Sequence, residues 1–235
     1  MKKLVIGDVV SRAWDLAVKH WPIFVVLAVI NSLFGDMGVS VDKDAIAEIQ
    51  SISDPTLQLK FLTEAIQTNS LLILIGVLLS TFISFIAYRM YVNCIKEGKP
   101  YNTLLDALKV DFNQLAIFFC VTICYAIIVG VGTCICIVPG IFFGIRLWFA
   151  PLIAATENVG FGEAFSRSWN ATRGNFWNLF LLGLTMIGIA ILGICACCVG
   201  IFFASVIVDF MEVLAYYVLR SDETPEVTTD YVEVQ

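Results

Sequence analysis

The fold class predicted by this sequence is an all-α membrane protein, with six transmembrane helices arranged as three helical hairpins. Each hairpin is expected to follow an amphipathic helix lying at the cytoplasmic interface. Three observations lead there. The chain is 59% hydrophobic and 14% charged, with a mean hydropathy of +0.88, whereas soluble domains carry about 25% charged residues. Apolar runs approach the roughly 20 residues needed to cross a hydrocarbon core. Basic residues also segregate to alternate connections, as the positive-inside rule requires.

Taken in order, the spans are expected at about 21–36, 69–95, 113–136, 139–156, 176–198 and 200–220. The N-terminus, MKKLVIGDVV, lacks the layout of a cleaved signal and is expected to be retained. With that end inside, the inner segments hold Lys2, Lys3, Arg12, Lys19, Arg89, Lys96, Lys99, Lys109, Arg167, Arg173 and Arg220. The outer side holds Lys43 and Lys60 alone, which puts both termini in the cytoplasm. Spans three and four are separated by Val138-Pro139-Gly140, and spans five and six around Cys198-Val199-Gly200. Both connections read as tight turns.

The acidic loop at about 37–68 is the sizeable outer segment. Apolar residues at helical spacing (Ala45, Ile46, Ile49, Ile52; Leu59, Leu62, Ile66) suggest two short amphipathic helices there, the second started by Asp54-Pro55. The tail 221–235, with five acids and no base, has the composition of a disordered segment. The rest, 1–220, is expected to be a single transmembrane domain.

That domain contains an internal echo. TCICIVPGIFFG (133–144) returns as ICACCVGIFFA (194–204), and the match extends upstream. SRAWDLAVKHWPIF (11–24), TLLDALKVDFNQL (103–115) and SRSWNATRGNFWNL (166–179) align Asp15, Asp106 and Asn170. Trp21, Phe112 and Phe176 follow six residues later, where the chain would turn into the bilayer. The repeat units are drawn at about 7–95, 101–157 and 162–220.

Residues 139–180 resemble a known pattern through Pro139-Gly140, Arg146, Phe149-Ala150-Pro151, Glu157-Asn158, Ala164, Ser168-Trp169, Thr172 and Gly174-Asn175-Phe176-Trp177. The pattern is that of bacterial six-helix integral membrane proteins of unknown function. They are akin to the membrane domain of some glycerophosphodiester phosphodiesterases and to YciC-like envelope proteins. The resemblance implies a bacterial inner-membrane location. It implies no phosphodiesterase activity, because in the fused members catalysis belongs to a separate soluble barrel.

Charges inside spans are costly and mark candidate sites. Arg146, Asp209 and Glu212 form such a set, with the two acids sharing a helix face at i and i+3. They read first as an Arg146–Asp209 ion pair locking two hairpins, and alternatively as a polar pathway or an anionic-headgroup site. Arg167, Arg173 and Asn175 are candidate headgroup contacts, set against simple helix capping and topology. Cys134, Cys136, Cys195, Cys197 and Cys198 fall on the expected outer side, where disulfides form. Packing is favoured over a disulfide, and a disulfide over metal, since the C-x-C spacing is short and His20 lies on the other side. No metal, cofactor or catalytic motif is found, and the acidic balance argues against nucleic acid as a partner. Membrane lipids are the expected partners. The functional expectation is a non-catalytic scaffold or envelope-maintenance factor, the alternative a small-molecule or lipid transporter built on Arg146, Asp209 and Glu212.

Overall fold

The structure is a computed structural model that describes residues 4–35, 55–97 and 111–220. Every regular element among them is helical: α1 Ile6–Gly35, α2 Pro55–Glu97, α3 Phe112–Ile135, α4 Ile137–Arg146, α5 Ala150–Thr156, α6 Phe161–Ala171, α7 Phe176–Cys195 and α8 Cys197–Leu219. Among the described residues six segments are long and apolar enough to span a bilayer: Ile6–Phe34, Leu74–Lys96, Phe112–Ile135, Ile137–Thr156, Phe176–Cys195 and Gly200–Leu219. The protein is therefore an all-α, multi-pass membrane protein. Residues 36–54, most of the expected second amphipathic helix (103–110) and the tail 221–235 lie outside the described residues.

Contacts divide the chain into two compact units, Met1–Val25 with Phe85–Gln235, and Val26–Ser84. The smaller unit carries the later part of α1 and the earlier part of α2. Its Leu33, Leu71 and Leu74 are exposed, as lipid-facing side chains must be. The hydroxyls of Ser80 and Thr81 donate back to the carbonyl of Val77, so neither is left unpaired in an apolar setting.

The larger unit holds the core, where Phe24, Phe85, Phe118, Phe149 and Phe210 are fully buried. Within it α3 packs against α4 and α5, α7 against α8, and α6 against α5 and α3. Both tight connections sit earlier than expected. The first is the single extended residue Cys136, and the second is at Ala196. Pro139 and Gly140 instead lie in the first turn of α4, where a missing N–H costs nothing.

Each hairpin closes on glycine. A methyl placed on Gly140 would come within 2.7 Å of the Thr133 backbone nitrogen, and one on Gly132 within 3.1 Å of Gly140 Cα. In the second hairpin a methyl on Gly200 would lie 2.6 Å from the Gly193 carbonyl oxygen, and one on Gly193 would lie 2.9 Å from the Gly200 oxygen. Small residues allow backbones to approach where the surrounding lipid gives little drive for association. The echoed GIFF phrase thus begins, in both copies, at the glycine where two helices cross.

Two expected boundaries are corrected. Residues 11–24 are not a separate interfacial helix but part of the 30-residue α1, which runs through Pro22. In the third copy the chain does break, at Gly174 with φ 85°, a conformation glycine adopts freely. Lys19 occupies the aligned position in the first copy and stays helical. Likewise residues 55–66 are not a second short helix of the loop but the start of the 43-residue α2.

Candidate functional site

The fourth span is interrupted. α4 ends at Arg146, Leu147–Phe149 form a turn, and α5 resumes at Ala150. An interruption inside a bilayer frees backbone groups that water cannot satisfy. α6 supplies the remedy. Ser168 Oγ donates to the Arg146 carbonyl at 3.1 Å, and Thr172 Oγ1 lies 3.3 Å from the same oxygen, its single proton shared between that carbonyl and those of Ser168 and Trp169, each at 3.1 Å. Both side chains are fully buried, so α6 is packed against the broken span instead of resting free at the interface. At the other end of α5, Gln114 Nε2 donates to the carbonyls of Ala155 and Glu157.

Glu157, which caps α5, is a hub. Its Oε1 accepts from the Tyr216 hydroxyl at 2.6 Å and from Arg220 Nη1, and its Oε2 accepts from Arg167 Nη1 at 2.6 Å. Arg167 also meets Glu163 Oε1 at 2.6 Å, one helical turn away. Hydrogen bonding to Glu163, and then to Glu157, holds the Arg167 guanidinium above its ordinary pKa. Arg167, expected as a headgroup contact, is thus engaged by two carboxylates. Arg173 is exposed in the turn before α7, and Asn175 is buried there as the cap of that helix.

The intramembrane charges are arranged differently from the expected ion pair. Asp209 Oδ2 accepts from the Tyr91 hydroxyl at 2.9 Å, and Glu212 Oε1 accepts from the Tyr88 hydroxyl at 3.3 Å. The Trp148 side chain also hydrogen bonds to Glu212. Around Tyr91, Phe24 stacks with ring centroids 4.4 Å apart, and Phe210 meets it edge-on at 4.8 Å. Lys96 lies over the ring of Tyr217, a further contact between α2 and α8.

Arg146 takes no part in this. The ion pairs among the described residues join Glu157 to Arg167 and Arg220, and Glu163 to Arg167; none includes Arg146. Its guanidinium lies 5.1 Å from the ring centre of Trp169 and 5.5 Å from that of Phe142. Its Nε and Nη1 are buried without an acceptor. The reason is geometric: Arg146 closes α4, and its side chain is directed to the aromatic residues of α4 and α6, while Asp209 is taken by α2.

Beside the break runs an apolar groove of about 450 Å³, lined by Ile141, Ile145 and Trp148 on one wall and by Leu179, Gly183 and Ile187 of α7 on the other. Gly183 matters there, since the Trp148 ring would lie 3.3 Å from a Cβ at that position.

Cys134, Cys136 and Cys195 are free thiols and exposed, so they are neither bonded to one another nor buried between helices. The side chains of Cys197 and Cys198 lie outside the described residues. Tyr88 and Tyr91 are not among the residues the sequence marks, and Trp169 and Arg220 are marked only through the motif and the charge bias, although a polar aromatic one turn from another inside a span is a usable signal for a buried carboxylate's partner. No family model, curated protein or solved structure matches the chain, and the resemblance of residues 139–180 rests on its motif alone.

Proposed function

We propose that the chain is a non-catalytic scaffold or envelope-maintenance factor of the bacterial inner membrane, with both termini cytoplasmic. The observation that carries this reading is the internal engagement of its carboxylates. Asp209 and Glu212 bind tyrosines of α2, and Glu157 ties α5, α6 and α8 together. Buried acids used in this way fix one arrangement of helices. A transport path would instead leave them facing a cavity. Eleven basic residues on the inner segments against two on the outer support the orientation. The glycine crossings at Gly140 and Gly200 support the reading of two hairpins as copies of one unit. The resemblance of residues 139–180 supports the bacterial envelope as the setting.

Removal of the chain from its host, followed by complementation, tests the proposal. Loss of envelope integrity, read as sensitivity to detergent, is expected to be restored by the native chain and by the Asp209→Asn, Glu212→Gln double variant. That variant keeps both hydrogen-bond acceptors while removing the charges. A transporter working through those carboxylates would fail to be restored, with the variant present at normal level in the membrane.

A further inference from the structure

We propose that Arg146 and Arg173 hold the phosphate of an anionic phospholipid whose acyl chain lies in the α4–α7 groove. This goes beyond a scaffolding role and does not depend on it. A cation inside a span is ordinarily matched by an acid or by backbone carbonyls. Arg146 is matched by neither: Nε and Nη1 are buried with no acceptor, and the carboxylates of Asp209, Glu212 and Glu157 are engaged elsewhere. Phe142 and Trp169 supply ring contacts, which complement a guanidinium's face and leave its N–H edge unsatisfied. An anionic acceptor that offers a pair of oxygens to two parallel N–H donors fits that edge, and the phosphodiester of a phospholipid, with its two non-bridging oxygens, is the bilayer component of that chemistry.

The position suits a lipid. The Arg146 carbonyl is held by Ser168 and Thr172, the latter adjacent in sequence to Arg173, and the Arg146 guanidinium lies over the Trp169 ring of α6. The turn from α6 to α7, opened by Gly174, presents Arg173 outward, and Trp177 beside it is exposed, as an interfacial tryptophan would be. Arg173 has no shown ion pair among the described residues. Phe176 packs on Phe142, the ring that brackets Arg146. Four residues further along α7, Phe180 lines the groove. Charged box and apolar groove therefore meet along the same two helices. At about 450 Å³ the groove falls in the roughly 300–1,000 Å³ range of small-ligand sites. It is too small for a partner helix about 10 Å across, so an acyl chain is the occupant.

Native mass spectrometry of the detergent-purified full chain, titrated separately with phosphatidylglycerol, phosphatidylethanolamine and inorganic phosphate, tests this. One saturable phosphatidylglycerol site is expected, with at least a fivefold preference over phosphatidylethanolamine, about the effect of one arginine at a membrane surface. Arg146→Gln should abolish the preference and Arg146→Lys should retain part of it. Ile187→Trp, which fills the groove, should weaken phosphatidylglycerol binding about tenfold. Equal binding of the two lipids, an unchanged preference in Arg146→Gln, or displacement of lipid by millimolar inorganic phosphate would each overturn the proposal. Should Arg146→Gln lose its cooperative thermal transition, Arg173→Gln decides: a preference that does not fall there refutes the site. Envelope complementation is a separate readout, so the two proposals fail independently.

Discussion

Glu157 shows how much one side chain can organise. Its position could be read from the sequence as a helix end beside Asn158, but the three partners could not, because Tyr216 and Arg220 lie some sixty residues away. Its side chain is 12% exposed, while those of Arg167 and Arg220 are 42% and 32% exposed. Water therefore screens part of the attraction. Glu157→Gln, which keeps the size and removes the charge, is expected to cost about 1–3 kcal/mol of stability. Glu163→Gln removes only an exposed pair and should cost about 0–1 kcal/mol. Unfolding of both variants in mild detergent by heat or added dodecyl sulfate measures the contrast, and equal losses would remove Glu157 from its central place. Arg146 teaches the complementary lesson. Its charge inside a span was legible, but its partner was not, since sequence spacing cannot say that tyrosines would satisfy Asp209 and Glu212 first.

Helix boundaries were legible where the chain carries a local reason to stop. Gly174 ends the run from α6, and Asp111 caps α3 by accepting from the Asn113 backbone N–H. They were illegible where the reason is remote. The interruption after Arg146 has one local cue, Pro151 in the first turn of α5, which lacks the N–H that would continue the helix from Leu147, and it persists because the distant Ser168 and Thr172 sit against the carbonyl it frees. The absence of a stop produces the opposite surprise in α1, which continues through Pro22, a residue transmembrane helices accommodate. The echoed phrase belongs at this scale. Its described cysteines, Cys134, Cys136 and Cys195, are exposed, and Gly132, Gly140, Gly193 and Gly200 are the points of helix contact. Gly200→Val should force α7 and α8 apart and lower the unfolding temperature or the yield of folded protein. Gly188, with open space around it, should accept alanine with no loss. A pair of variants with equal stability would separate the phrase from packing.

For the whole molecule, the charge bias leads to an orientation that labelling can read. A membrane-impermeant maleimide added to intact cells is expected to modify Cys134, Cys136 and Cys195, which are exposed and free, and to spare the buried Cys94. A cysteine introduced at Ser221 should react only after the membrane is opened, and the reverse pattern would invert the topology. The sequence by itself determined the solvent, the number of spans and the two tight hairpins. Those properties follow from local quantities: apolar length against bilayer thickness, the placement of lysine and arginine, and small residues flanking turns. Only the tertiary structure decided which polar groups meet. Asp209 and Glu212 went to Tyr91 and Tyr88, Arg167 and Arg220 went to Glu157, and Arg146 was left between two rings. Hydrogen-bond partners inside a bilayer are chosen by side-chain reach and direction across helices distant in sequence. In lipid, where water offers no alternative, that choice sets which charge remains open to a ligand.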